Sequence, residues 1–196
     1  RGLPMRTFLL RMMLLMYVLP VAAGNSTCKS APPVGYKVVK NTLFPFSVDG
    51  KKACFFAFYT ANPYSYVDPH GTGNPGDAIW YGYYELTNPD KIVEFPKPQD
   101  RLWCRVCRID AVSFGDMNGD KKPDVTIIGS CDYNPRYQIF PLVFIRSGGQ
   151  YILNKKVYEN LYEFIALTVA DVRGYINSSY PGSYLKVLEA RYQRPG

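Results

Sequence analysis

The stretch that most limits how this chain folds is Phe114–Gly129. It places Asp116, Asn118, Asp120 and Asp124 at positions 1, 3, 5 and 9 of a short loop. Short oxygen-bearing side chains at alternate positions of a tight turn converge on one centre, which suits the six to eight oxygens a calcium ion takes. The backbone carbonyl of Lys122, at position 7, is a further ligand that any residue type supplies. Gly119 permits the sharp turn and Pro123 stiffens the exit. An EF-hand is excluded, because position 12 is Ile127 rather than a bidentate Glu and position 6 is Lys121 rather than Gly. The next residues, Val125-Thr126-Ile127-Ile128, are strongly β-forming, so the unit is loop-then-strand. The alternative is an ion-free acidic turn whose Asp and Asn side chains cap backbone amides.

Phe114-Gly115-Asp116-x-Asn118-Gly119-Asp120-x-x-x-Asp124, continuing into Val-Thr-Ile-Ile-Gly129, resembles an FG-GAP (VCBS-type) repeat. The resemblance implies a calcium ion held by Asp116, Asn118, Asp120, Lys122 and Asp124 between strands of a β-propeller blade. It covers about 16 residues and departs from the family at Lys121, where Gly is usual. Two weaker copies are read elsewhere. Val169–Tyr175 aligns Asp171 with Asp116 and Gly174 with Gly119, and Val48-Asp49-Gly50-Lys51-Lys52 precedes the apolar run Ala53–Phe58. Three blades are few for a closed ring, since propellers have 4–8. The expected fold is therefore mainly β: an incomplete, propeller-like stack of antiparallel sheets with one short helix.

The composition agrees. Seventeen Tyr, 16 Gly and 16 Pro in 196 residues favour short strands and many turns over a helix bundle. Hairpins are expected from Ala78–Leu86 with Lys91–Phe95, around Thr87-Asn88-Pro89-Asp90, and from Ile139–Arg146 with Tyr151–Leu153, around Ser147-Gly148-Gly149-Gln150. Val157, Leu161, Phe164 and Ile165 recur at helical spacing, which predicts the short helix within Asn154–Leu167, and Tyr184–Tyr192 is expected to be a closing strand.

Residues 1–24 read as a signal peptide. Arg1–Pro4 precede a plausible start at Met5, Arg6 and Arg11 supply the charged region, and Met12–Leu19 are apolar. Pro20 breaks that run before the small residues Val21-Ala22-Ala23-Gly24. The apolar stretch is too short for a spanning helix of about 20 residues. Residues 25–196 are expected to form a single domain, exported to the periplasm or secreted. The formal charge of +7 includes three arginines from the leader; without them 20 basic face 16 acidic residues, +4, scattered in lysine doublets. A nucleic-acid surface would need a concentrated stripe. In an oxidising compartment Cys28, Cys54, Cys104, Cys107 and Cys131 are disulfide candidates, with Cys28–Cys54 and Cys131 with Cys104 or Cys107 the expected pairs.

Catalytic schemes have little to use. His70 is the only histidine and sits in a turn-rich segment, Asp68–Gly76. A Gly-Thr-Gly run there lacks the Lys-Ser/Thr of a phosphate loop. Convergent carboxylates of a glycosidase are not readable from sequence. A non-enzymatic binding protein is the better reading, with a secreted hydrolase as an alternative. Tyr and Arg favour interfaces, so Tyr64, Tyr66, Asp68 and His70 form one candidate partner surface and Tyr133, Asn134, Arg136 and Tyr137 another. Asn25 and Asn177 open glycosylation-type triplets, which bear only on a eukaryotic source. Small exported proteins that resemble this family include periplasmic immunity proteins. The resemblance implies a protein partner, a toxin delivered by type VI secretion that degrades peptidoglycan, inhibited by a loop that plugs its active site. The other binding alternative is a calcium-dependent adhesion or glycan-binding module.

Overall fold

The computed structural model describes residues 28, 34–61, 77–96, 108–133, 136–162 and 164–192. Nine strands precede three helices. The strands are β1 (Lys37–Val38), β2 (Phe44–Val48), β3 (Lys51–Ala61), β4 (Asp77–Glu85), β5 (Asn88–Glu94), β6 (Arg108–Gly115), β7 (Asp124–Tyr133), β8 (Arg136–Ser147) and β9 (Gln150–Leu153). The helices are α1 (Lys155–Leu161), α2 (Val169–Asn177) and α3 (Pro181–Tyr192). The fold is mainly β, as the turn-rich composition implies.

All pairings are antiparallel and form two sheets. In the first, β1 and β2 lie in series along one edge of β3, with β4 and β5 beyond it; the second runs β6-β7-β8-β9. Each is thus a four-deep meander, and the turn at Asp49-Gly50 and the acidic loop occupy equivalent places, between the first and second strands.

Alternation along the strands sets the core. On β3 and β4 the inward residues Phe55, Tyr81 and Tyr83 meet Phe114, Phe144 and Tyr151 of the other sheet. Phe46 stacks on Phe114 at 4.8 Å, and Phe95 lies 4.8 Å from Phe144 and 4.6 Å from Tyr151. Ring pairs at these separations contribute about 0.5–1.5 kcal/mol each beyond the area they bury. β3 is apolar on both faces: Cys54, Phe56 and Phe58 are as buried as Phe55. Tyr36 packs edge-on against Phe56 and Phe58 on that second face, whereas the three helices cover the outer face of the other sheet through Ile128, Ile139, Val143, Leu161, Val172 and Leu188.

Three expectations change. Val169–Tyr175 is not a degenerate loop but most of α2, and Asp171 is its N3 residue, in a capping box with Thr168. Tyr184–Tyr192 is not a strand; it belongs to α3, where a buried Leu188 and a partner helix decide the outcome over β-propensity. There are accordingly three helices rather than one. The predicted helix within Asn154–Leu167 is real but ends at Leu161. The first hairpin turns earlier than its Asn-Pro-Asp signal suggests, with Glu85 opposite Asn88 and Pro89 inside edge strand β5, a position that tolerates a missing N–H. Residues 1–24, expected to be a signal peptide, fall outside the described residues, among which no helix is long and apolar enough to cross a membrane.

Asp171 also ties α2 to α3. Its carboxylate accepts hydrogen bonds from Thr168 N (2.9 Å) and Oγ1 (2.6 Å), Tyr192 Oη (2.8 Å) and Arg191 Nη1 (2.6 Å). Desolvation acts to raise its pKa, but the Thr168 and Tyr192 hydrogen bonds and the Arg191 charge outweigh it and hold the carboxyl below its ordinary value. A carboxyl lowered on folding contributes stability above its unfolded value and loses it as pH falls through that value toward the folded one. Asp171→Asn should therefore destabilise the protein by about 2 kcal/mol at neutral pH. The difference from wild type should shrink below about pH 4; urea melts across about pH 2.5–7 read this directly, and a pH-independent difference would contradict it.

Candidate functional site

The acidic loop spans residues 116–123 and joins β6 to β7. Its side chains organise its own backbone. Asp116 accepts from the N–H groups of Asn118 (3.2 Å), Gly119 (2.6 Å) and Lys121 (2.8 Å). Asn118 Oδ1 accepts from Asp120 N at 3.1 Å, and Asp120 Oδ1 from Lys122 N at 2.9 Å. Desolvation pushes the Asp116 carboxyl up, but the backbone N–H groups of Lys121, Gly119, Asn118 and Asp120 prevail and hold it below its ordinary value. Gly119 sits at φ +85° and Lys121 at φ +64°, both left-handed. Lys121 thus holds a left-handed position, which favours Gly, with a side chain attached.

Asp124, the first residue of β7, is wholly buried. Its two carboxylate oxygens accept from Met117 N and Arg146 N, each at 2.8 Å, so one side chain fastens the start of the loop to the end of β8. Desolvation raises its pKa; the Arg146 and Met117 amides oppose this, and the charges of Asp120 and Asp116 add to it. The charges of Asp116 and Asp120 thus both bear on the Asp124 carboxylate, which is out of contact with water. Lys122 relieves only the outer part, its Nζ lying 3.8 Å from Asp120 on the exposed side.

The donor set is oxygen only, which suits a hard cation such as calcium. The repulsion of the Asp124 carboxylate by Asp116 and Asp120 is what a divalent charge would offset. Against this stands the spacing: among the described residues no three His, Cys, Asp or Glu side chains are gathered into a ready metal-ligating group. The side-chain oxygens here act first as acceptors for the loop's own amides, as in an ion-free acidic turn: Asp116 Oδ1 takes two of them, while Asp116 Oδ2, Asp120 Oδ1 and the two Asp124 oxygens each take one and keep a second lone pair.

Residues outside the motif brace the loop. Met117 is 1% exposed and belongs to the core under the helices, although it occupies a variable position of the pattern. Tyr151 Oη donates to Pro123 O at 3.0 Å. Arg146 reaches across to the opposite sheet, where its guanidinium pairs with Asp49 through Nε and Nη2, and it stacks 4.9 Å over the Tyr151 ring. Neither Arg146 nor Met117 stands out in the sequence. Their only signals are a cation ending an apolar strand and a large apolar residue inside a polar loop.

The other candidates separate spatially. β7 carries Asp124 at one end and Tyr133 at the other, about 30 Å apart at about 3.3 Å per residue. Tyr133 pairs with Arg136, and Asp132 with Tyr137, at the β7–β8 hairpin. The acidic loop and the Tyr133–Tyr137 surface are thus opposite ends of one ladder. Asn134, and Tyr64, Tyr66, Asp68 and His70, lie outside the described residues, as do Cys104 and Cys107. Cys131 stands in β7 opposite Gln138. Cys28 and Cys54 are joined in a disulfide, the pairing expected from spacing. A cleft of about 120 Å³ lined by Asn154, Lys156, Val157, Tyr175, Ile176 and Pro181 falls well short of the several hundred Å³ of a small-molecule site. No protein family, characterised protein or solved structure matches the chain.

Because Lys121 occupies a left-handed position with its backbone N–H bonded to Asp116, Gly there should keep the bond and remove the steric conflict. Lys121→Gly is expected to leave the protein as stable or to stabilise it by up to about 1 kcal/mol. Thermal melts of the pair check this, and a loss of more than that amount would show that Lys121 acts through its side chain.

Proposed function

We propose that this is an exported, non-enzymatic binding protein whose acidic loop takes calcium and whose stiffened β7–β8 ladder presents Tyr133, Arg136 and Tyr137 to a protein partner. The single observation that carries the reading is Asp124. Its buried carboxylate crosslinks loop and β8 at one end of the ladder whose other end is the hairpin. Calcium, when bound, supplies the positive charge that Asp116, Asp120 and Asp124 lack among themselves; Asn118 Oδ1 and the Lys122 carbonyl complete an oxygen set. Asp124 holds its lone pairs in place through the Met117 and Arg146 amides, and Asp116 curls the loop around the site.

The partner class we propose is a peptidoglycan-degrading effector delivered by type VI secretion, met in the periplasm and inhibited by occlusion of its active site. Support for this finer step is the resemblance of the loop to the FG-GAP pattern together with the leader-like residues 1–24. The Cys28–Cys54 disulfide suits an oxidising compartment. The exposed outer side of Asp116 and Asp120 favours a second reading, a glycan-binding module in which the ion touches ligand directly.

Calcium should raise the melting temperature, by several degrees at about 100-fold excess over Kd. EGTA should reverse the shift, and Asp116→Ala or Asp120→Ala should abolish it. Superimposable melts with and without chelator dispose of the calcium claim. For the partner, the tagged full chain is passed over periplasmic extract and over peptidoglycan and glycan resins. A stoichiometric complex with a cell-wall hydrolase that loses activity, weakened by Tyr133→Ala or Arg136→Ala, supports occlusion. Calcium-dependent retention on glycan supports the second reading instead.

A further inference from the structure

The acidic loop holds the chain's one Asn-Gly pair, Asn118-Gly119. The backbone nitrogen that follows an asparagine can add to that side chain's Cγ and close a five-membered ring, and its approach is easiest where the next residue has no Cβ. Of the ten asparagines, Asn118 alone is followed by glycine. Asn62, Asn74, Asn88 and Asn134 precede proline, whose nitrogen has no hydrogen to give up. Elsewhere the side chain is engaged: Asn154 Oδ1 accepts from Val157 N at 3.3 Å as the cap of α1, and Asn160 Nδ2 donates to Lys156 O at 2.7 Å. In the related pair Asp49-Gly50, the carboxylate is held by Arg146.

The loop sets the two halves of that reaction against each other. Asn118 Oδ1 accepts from Asp120 N at 3.1 Å, a bond that folds the side chain forward over Gly119 and draws electrons from Cγ toward the oxygen. Gly119 is exposed, and nothing lies within 4 Å of where a side chain on it would begin. The nucleophile, however, is held. Gly119 N donates to Asp116 Oδ1 at 2.6 Å, the shortest of the loop's own bonds. The nitrogen attacks only as it sheds its proton, and a hydrogen bond to a carboxylate keeps the proton in place.

We propose that Asn118 is a site of spontaneous deamidation whose rate is set by Asp116. Gly119 N forms a bond to Asn118 Cγ as the Cγ–Nδ2 bond breaks, and the proton lost from Gly119 N leaves with Nδ2 as ammonia. The succinimide then takes up one water. Breaking the Cγ–N bond gives aspartate; breaking the bond from that nitrogen to the backbone carbonyl carbon gives isoaspartate, whose backbone is one methylene longer. Either product puts a new carboxylate beside Asp116 and Asp120, whose charges already bear on buried Asp124. Isoaspartate also spreads apart the Asn118 and Gly119 amides that Asp116 gathers. The loop thus carries a one-way change of charge, held back by its own first residue, whether or not it takes calcium.

The full chain and its Asp116→Ala and Asp116→Asn variants are kept for weeks in warm neutral buffer with EGTA, which makes the outcome independent of calcium. Trypsin, cutting after Arg108 and Lys121, releases residues 109–121, and chromatography with mass detection separates the unmodified, aspartate and isoaspartate forms. In the unmutated chain deamidation should collect at Asn118 ahead of every other asparagine. Asp116→Ala should accelerate it on the order of tenfold, the equivalent of one lost hydrogen bond to a charged group. Asp116→Asn keeps an oxygen to accept the N–H and should fall between. Hydrogen exchange of the Gly119 amide should quicken in the same order, while the Met117 amide, bonded to Asp124, stays protected. Deamidation first at another asparagine, or at an equal or lower rate in Asp116→Ala, overturns the proposal. So does a Met117 amide that opens together with that of Gly119, because the loop's fold and not Asp116 would then be the guard.

Discussion

The structure depends on the aromatic layer between the two sheets. Neither sheet could stand alone: a five-stranded sheet with Phe55, Tyr81, Tyr83 and Phe95 on one face needs a second apolar surface, and Phe114, Phe144 and Tyr151 provide it. Because these rings come from both sheets and pack tilted or edge-on, sliding one sheet past the other would break many contacts at once. Everything else is built on that rigid pair. The helices close one outer face, Tyr36, Val38 and Val39 pack against the core of the other sheet, and the acidic loop hangs from the end of the sandwich where Asp49 and Arg146 bridge the sheets.

This layering explains why two meanders suffice where a propeller uses a ring. In a ring, each blade's outer face is covered by the next blade. Here one outer face is covered by α1–α3 and the other by Tyr36 and its neighbours, so the stack ends without exposing either. The loop site inherits its stiffness from this arrangement. Asp124 is immobilised by amides from two different segments, and Met117 anchors the loop in the helical core.

Local signals carry some of the chain far. The loop-then-strand unit at 116–128, the Ser147–Gln150 turn and the apolar run of β3 are legible, since each rests on residue types whose preferences are satisfied within a few positions. Lys121 also shows as an oddity, and its positive φ marks a position where Gly would be the unstrained choice. The C-terminal quarter is where local signals mislead. Val169–Tyr175 and Tyr184–Tyr192 hold residues that serve a strand or a helix about equally, and the choice falls to what they pack against.

What the amino-acid order determined by itself is therefore the class of structure and the character of the loop: a turn-rich, aromatic β protein with an oxygen-lined bend. Tertiary structure alone decided that Asp124 is buried against Arg146 rather than exposed, that Asp171 caps a helix rather than lining a second loop, and that the acidic loop and the Tyr133 hairpin lie at opposite ends of β7. Periodicity and turn chemistry act over a handful of residues. Burial, charge compensation and the partner of each hydrogen bond depend instead on segments 22 to 97 positions apart, as Asp124–Arg146 and Asp49–Arg146 are.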